Sequence, residues 1–410
     1  MDGERKPPAV LSAAVWKVLD NDDLLIEILL RLGFPTTLVC AALVCRRWLH
    51  HVSNPAFLRH FRKLHPPRLL GFYRGAGFFP MPSPYPSELA DVIRRVARYA
   101  LYGGVFDCAI RIKDFRNGRV FTRGIGARGV TLRVHCPLCP RRSMSIVPPF
   151  PQRDNIYSIY DTRDAVLSKE EGDTLSYLYV SMEYIMHTKC FNVRVYVLKN
   201  GVWRMHTSAT TKTTSPLYDS KPMLVNNKMY FFVQDKSAWS GVLLLDLSTT
   251  SFSAIKFPQG VKYFCLNTKL SRADDASSVY LIKLKEFQLR IWLCKGDNWS
   301  LVDTICLHDM VANLKMLDRI IDDEQNPPIW IREVGDNAEF MFLMMRGCLL
   351  YLDIKCRTLH IWSEDEPSDT IHPFMMIWPP KFPAVKDDPT RFVFCPSDDL
   401  YSTLLLAEFT

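Results

Sequence analysis

The chain lacks the features that would mark a membrane protein or an exported one. Wholly apolar stretches such as Leu38 to Cys45 or Phe340 to Met345 fall far short of the ~18 residues that suggest a membrane span. The opening Met-Asp-Gly-Glu-Arg-Lys-Pro-Pro is not a charged-then-apolar export signal. Cysteine contributes 12 of 410 residues at irregular spacing, which excludes a disulfide-dense scaffold and points to free thiols in a reducing compartment. The expected location is cytoplasmic or nuclear. Catalytic signatures are missing as well: there is no Gly-x-Ser-x-Gly, no His-Glu-x-x-His and no phosphate loop.

What is present is ordinary globular composition, 48% apolar and 23% charged, over a length that exceeds one comfortable core. Two or three domains, or a repeat array, are expected. The net charge of +8 is uneven: residues 1–74 hold 11 Lys/Arg against 6 Asp/Glu, and residues 91–142 hold 12 against 3. Two readings stand side by side. Clustered cations attract anionic partners, and arginines also flank strands simply to keep edges soluble.

From Trp16 to His65 the pattern is helical. Asp20, Asn21 and Asp22 offer cap chemistry ahead of Leu24, Leu25, Ile28, Leu29 and Leu32, and Gly33 and Pro35 end the run. A second helix follows Thr36 or Thr37, with Leu38, Ala41, Ala42, Cys45, Trp48, Leu49 and Val52 on one face. Ser53 and Asn54 before Pro55 start a third, carrying Phe57, Leu58, Phe61 and Leu64. About 50 residues cannot enclose all of that apolar surface. Some of it faces either a partner or the rest of the same chain.

These residues carry a resemblance. Asn21 to Leu32, then Leu43-Val-Cys-Arg-Arg-Trp48, then Ser53-Asn-Pro-Ala-Phe57 resemble an F-box, with Asp20-Asn21 where the family usually has Leu-Pro. The chain is most similar to the plant F-box proteins whose C-terminal region is β-rich and propeller-like, and Pro66-Pro-Arg-Leu-Leu-Gly-Phe72 fits that set. The departure at Asp20-Asn21 implies that the opening contact with the linker is altered or moved upstream to Trp16, Val18 and Leu19.

Beyond Arg68 the sequence turns to short β-like runs. Gly71 to Pro86, with four prolines from Pro80 onward, reads as a Pro-rich insertion near residues 75–90 without strands, and Ser87 to Ala100 as one helix within it. Ten strands are expected within 109–113, 130–134, 176–184, 193–198, 229–234, 241–247, 279–285, 289–294, 340–346 and 348–354. A repeat selects among the all-β architectures. Arg194-Val-Tyr-Val-Leu-Lys199 with Trp203 aligns with Arg290-Ile-Trp-Leu-Cys-Lys295 with Trp299, and Leu244 to Phe252 aligns with Tyr351 to Leu359 at Asp246 and Asp353. Halving the two offsets gives units of about 48 to 54 residues, near the length of a four-stranded propeller blade. The expected fold is therefore a small all-α three-helix F-box at 15–65 followed by an all-β domain at 68–410, a β-propeller of about six or seven blades. In each repeat the Asp is read as holding the Ser/Thr turn that follows it, a fold-building role.

Candidate chemistry is sparse. His135-Cys136-Pro-Leu-Cys139 offers half a zinc site, with His187 and Cys190 as the nearest complement, at spacings unlike the usual structural ones. Acidic pairs at Asp22-Asp23, Asp274-Asp275, Asp322 to Glu324 and Glu364 to Glu366 read as solvated turns more readily than as catalytic carboxylates. Arg123 to Gly129 reads as a hairpin turn.

The resemblance implies a non-catalytic substrate adaptor of an SCF-type ubiquitin ligase, binding a Skp-type linker and through it a cullin, with a target protein held by the β region. It implies no cofactor, no membrane and no nucleic acid. The interface candidates are Leu24, Leu25, Ile28, Leu29, Leu32, Leu38, Val44, Cys45 and Trp48, with Trp48 as the best anchor. The alternatives are a ligand-sensing or enzymatic propeller whose turnover the F-box controls, and an anion-polymer module using Arg94, Arg95, Arg98, Arg111, Arg116, Arg119 and Arg123.

Overall fold

The computed structural model describes residues 13–82, 85, 87–99, 109–126, 129–138, 144–151, 161–171, 174–185, 187–212, 221–234, 240–273, 277–314, 329–364, 370–380 and 382. The chain divides into two compact units, one of Met1–Leu69 with Met375–Thr410 and one of Leu70–Phe374. Of the described residues beyond Phe374, Trp378 and Phe382 pack with the helices.

Among the described residues the first unit holds five helices where three were expected: α1 (Ala13–Asp20), α2 (Asp22–Leu30), α3 (Pro35–Ala42), α4 (Arg46–Val52) and α5 (Pro55–Leu64). The expected second helix breaks between α3 and α4. There Leu43 closes the last turn and Cys45 is fully extended at φ −163°. The capping expectations hold at two points. The side chain of Asn21 accepts the Leu24 amide, and that of Asn54 accepts the Ala56 amide ahead of Pro55. Such caps satisfy donors that a helix start leaves unpaired. Leu25, Leu29, Leu38, Val52 and Phe61 are fully buried and form the core. Trp378 and Phe382 from the returning chain pack against it, Trp378 stacking on Phe61 with ring centroids 6.0 Å apart.

The second unit is a six-bladed propeller. Blade 1 is β3 (Ala109–Arg116), β4 (Arg119–Gly126), β5 (Gly129–His135) and β6 (Met144–Val147). Blade 2 is β7 (Asp161–Glu171), β8 (Thr174–Ile185), β9 (Cys190–Lys199) and β10 (Val202–Lys212). Blade 3 is β11 (Met223–Val225), β12 (Lys228–Gln234), β13 (Ser240–Asp246) and β14 (Ser251–Lys256). Blade 4 is β15 (Thr268–Arg272), β16 (Val279–Lys285), β17 (Gln288–Lys295) and β18 (Asn298–Cys306). Blade 5 is β19 (Trp330–Val334), β20 (Phe340–Met345), β21 (Cys348–Asp353) and β22 (Thr358–Ser363).

Blade 6 closes the ring from both ends of the unit: β1 (Leu69–Arg74) lies between β2 (Gly77–Pro80) and β23 (Ile371–Met375). The hairpin β1–β2 falls where the proline-rich sequence read as loop. Pro80 is tolerated there as the last residue of an edge strand, where no ladder donor is needed. Among the described residues two α-helices decorate the β unit, α6 (Ser87–Arg98) within the insertion as expected, and α7 (His308–Asn313) after blade 4.

The core lies between blades. Val180 and Val195 of blade 2 meet Phe231 and Leu245 of blade 3, and Ile282 and Ile291 of blade 4 meet Leu343 and Leu352 of blade 5. A blade covered on both faces needs apolar residues on both sides of its middle strands. That is why Phe340–Met345 is buried throughout.

The sequence repeat marks equivalent places two blades apart. Arg194–Lys199 lies on β9 and Arg290–Lys295 on β17, the third strands of blades 2 and 4. Their partner tryptophans play one role: the indole of Trp203 donates to the Pro148 carbonyl at 3.0 Å, and that of Trp299 to the Lys256 carbonyl at 2.9 Å. Each tethers a fourth strand to the preceding blade. Asp246 accepts the Ser248 and Thr249 amides and Asp353 accepts the Cys356 amide, so both aspartates build turns as expected.

Candidate functional site

In the helical unit, α2 is apolar on two flanks. Leu25 and Leu29 point inward and are wholly buried, while Leu24, one position away, is 45% exposed and Ile28 is half-buried. Residues four apart share a helix face, so Leu24 and Ile28 make an outward apolar row beside Glu27 and Arg31. Helix α5 shows the ordinary contrast: Phe57 and Phe61 face in, and Arg59, His60 and Lys63 face out. Val44, in the break between α3 and α4, is 42% exposed, and Cys45 is half-buried.

The nine interface candidates therefore separate. Leu25, Leu29 and Leu38 fill the core and present no surface to a partner. Leu32 and Trp48 are half-buried and pack against that core. Leu24, Ile28, Val44 and Cys45 retain accessible surface. Helical spacing groups apolar residues without saying which flank faces in, because here both flanks are apolar.

The positions where Leu-Pro was missing are held by polar chemistry. Arg47 donates to the Leu19 and Asp20 carbonyls at 2.7 Å each, and to Asp22 Oδ1 from Nε at 2.8 Å. His51 Nε2 also meets that carboxylate at 3.0 Å. One arginine thus caps the end of α1 and pins the start of α2. The hydrogen bonds from Arg47 and then His51 hold the Asp22 carboxyl below its ordinary 3.8. A group with a depressed folded pKa adds stability above its unfolded pKa and loses it as the pH falls through the folded value. Asp22→Asn is therefore expected to lower the melting temperature of the chain at pH 7, and the difference from wild type should shrink as the pH falls below 3.8. Paired thermal melts across that range check it.

In the propeller, the innermost strands bring charged groups to the axis. Arg116, the last residue of β3, pairs with Glu170 of β7 at 3.0 Å and with Asp336, beyond β19, at 2.9 Å. Burial alone would lower its pKa, but these two carboxylates raise it. Deeper along the same strands, Asp114 accepts the Ser168 amide at 2.7 Å and is ion-paired to Lys221. His372 on β23 is pushed down to about 4, first by burial and then by Lys221. Glu333 is raised by burial. Sequence reasoning missed this set because the partners of Arg116 lie 54 and 220 positions away. Sequence proximity groups Arg116 instead with Arg94, which pairs with Asp91 on α6. Those arginines do not form one free basic surface.

At the seam between blades 5 and 6 lies a groove of about 460 Å³, lined by Phe72, Arg74, Phe79, Tyr85 and Trp362 among others. Phe72, Phe342 and Trp362 pack on one another with centroids 5.2–5.6 Å apart, and Arg74 sits 4.5 Å over the Phe79 ring.

The family model described as F-box protein AT5G49610-like, beta-propeller matches residues 111–382, and an F-box-like model matches residues 22–63. Together they span both units. The chain belongs to the F-box proteins with an AT5G49610-like β-propeller. No curated protein matches it. Among solved structures, TolB from Acinetobacter baumannii aligns at 15% identity and TM-score 0.33, over 60% of this chain and 52% of that one. The chain thus spans about half the length of TolB. A puromycin hydrolase aligns at 10% and 0.35 over 71% and 42%, and the GH93 alpha-L-arabinofuranosidase of Fusarium graminearum at 10% and 0.37 over 73% and 87%.

Within this F-box propeller the zinc candidates do not converge. Cys136 lies by Tyr177 and Cys190 by Tyr184, near opposite ends of β8 and so roughly 23 Å apart along the strand. His187 is exposed, and Cys139 lies outside the described residues. No cluster of three metal-ligand side chains occurs among the described residues. Of the acidic pairs, Asp22 is committed to Arg47 and His51. Asp274-Asp275, Asp322 to Glu324 and Asp365-Glu366 lie outside the described residues. Among those described, no helix is long and apolar enough to cross a membrane.

Proposed function

We propose that this chain is the substrate-receptor subunit of an SCF-type ubiquitin ligase, docking a Skp-type linker, and through it a cullin, by its F-box helices. The observation that carries the reading is the doubly apolar α2, whose inner row builds the domain while Leu24 and Ile28 remain outside. Exposed apolar residues grouped on one element mark a surface for another polypeptide. The F-box joined to a propeller, as found here, is the organisation of such receptors in general. The propeller then holds the target, with the aromatic groove beside Trp362 as one recognition surface. Tethering raises the effective concentration of the target beside the charged ubiquitin-transfer enzyme. The chain itself performs no bond-breaking step, and it acts in the cytoplasm or nucleus.

Co-expression of the full chain with a Skp-type linker tests the reading. A complex that survives size-exclusion chromatography is expected. Separate elution of the two chains at micromolar concentration would overturn it.

A further inference from the structure

The aromatic groove between blades 5 and 6 is framed by two edge strands, β2 and β22. The β22 ladder skips one residue: Leu349 pairs with Ser363 and Leu350 with Ile361, which leaves Trp362 on a bulge. A bulge re-aims a side chain, and here the indole lines the groove against Phe72, with ring centroids 5.6 Å apart. Phe72 stacks in turn on Phe79 at 5.3 Å. Along the wall from Pro80 to Pro82 the backbone offers no donor. The two prolines have no N–H, and the Met81 amide is spent on the Leu70 carbonyl at 3.0 Å. A strand added to that wall would find no ladder, so recognition falls to side chains.

The polar side chains of the groove are donors. Among the described residues Arg74 forms no ion pair and lies 4.5 Å over the Phe79 ring. Neither the Trp362 indole N–H nor the Tyr85 hydroxyl makes a hydrogen bond among them. All three side chains are half-buried. Guanidinium and indole can only donate, so the occupant must bring acceptors. No carboxylate or carboxamide side chain lines the groove to answer donors of the ligand. That disfavours sugars, whose hydroxyls need acceptors as well as donors, and cationic peptides, which Arg74 repels. A polyproline II segment fits: its carbonyls are unpaired, its prolines carry no N–H, and such segments dock in aromatic-lined grooves. Arg74 adds a planar fork suited to one carboxylate.

We propose that this groove binds an extended proline-rich peptide carrying an acidic residue, with Trp362 and Tyr85 donating to its carbonyls and Arg74 pairing with its carboxylate. The proposal rests on the reading of the groove as a target-recognition surface and names the class of target segment.

Fluorescence anisotropy with the full chain tests it, using a labelled Pro-Pro-Pro-Glu-Pro-Pro-Pro peptide as probe. Saturable binding is expected, weakened at least ~10-fold when alanine replaces the prolines, and at least ~10-fold when Lys replaces Glu. Trp362→Phe keeps an aromatic ring, removes the N–H and should weaken the probe about 3- to 10-fold. Arg74→Gln should abolish the preference for Glu over Lys in the peptide while keeping the preference for prolines; a variant that merely damaged the fold would weaken every peptide alike. Arg290→Gln, at an exposed arginine on β17, should bind as wild type does. If Arg74→Gln fails to fold by circular dichroism, the Glu-to-Lys comparison on wild type decides. No saturable binding up to about 1 mM, equal affinity for the alanine peptide, preference for the Lys peptide, wild-type affinity in Trp362→Phe, or an unchanged Glu preference in Arg74→Gln would each overturn the proposal. If the alanine peptide or cellohexaose bound best and Trp362→Phe weakened it, the proline assignment would fall while the groove remained a recognition surface. Linker co-elution on the same preparations reports on F-box docking separately.

Discussion

Replacing Leu24 and Ile28 together by aspartate is expected to weaken capture of a Skp-type linker by at least ~100-fold while leaving the thermal unfolding of the chain within a few degrees of wild type. Two charges placed on an apolar contact must be desolvated with no partner, and that cost falls on the complex. In the free chain both positions meet water: Leu24 is 45% exposed, and Ile28 is on the same outward row. Leu29→Ala is the opposing control. It hollows a fully buried site and should cost about 2–5 kcal/mol of stability, reducing linker binding through loss of the fold. Binding by calorimetry alongside melting curves separates the two. If the double variant bound as wild type does, or if it unfolded as Leu29→Ala does, the assignment of α2's outward row would be wrong.

A second large effect is expected at the ring closure. Gly71 lies on β1, the central strand of blade 6, paired with Pro80 of β2. A Cβ there would stand 2.2 Å from the Phe79 carbonyl oxygen and 2.7 Å from the Phe78 ring. The ring can swing aside, but the carbonyl is backbone and moves only if the hairpin separates. Gly71→Ala should therefore cost about 2–4 kcal/mol. The loss reaches the whole propeller because β1 joins the hairpin to β23, and Phe72 packs on Phe342 and Trp362 of blade 5. Chemical denaturation of the chain, followed by tryptophan fluorescence, measures it. A transition midpoint equal to wild type would contradict this account of closure.

Much of this architecture was legible in the residues. The β9/β17 and β13/β21 repeats exposed the blade unit because a third strand packed on both faces, an Asp-held turn and a tethering Trp recur as one structural device. The middle strands were found because they are dense in apolar residues. Outer strands such as β10 and β22 were missed because one side meets water and their buried positions are few. The β1–β2 hairpin was hidden by its prolines, whose meaning depends on β2 being an edge strand.

The proposed docking surface was half legible. The acidic-leucine helix and the Val44-Cys45-Arg46-Arg47-Trp48 segment marked the F-box helices, but seeing that Leu25, Leu29 and Leu38 are core required knowing which flank of α2 faces in. The role of Arg47 also became visible only in three dimensions. It holds the Asp20-Asn21 stretch in place, since the guanidinium binds the Leu19 and Asp20 carbonyls. The axial charges were invisible for a simpler reason. Each comes from a different blade, and no local pattern links Arg116 to Asp336.

Hydrogen–deuterium exchange of the full chain, with and without a Skp-type linker, tests the central claim most directly. The account predicts slowed exchange over Asn21–Leu32 and Val44–Trp48, with the propeller between Leu70 and Phe374 unchanged. Protection confined to the propeller, or none over those F-box segments at saturating linker, would contradict it.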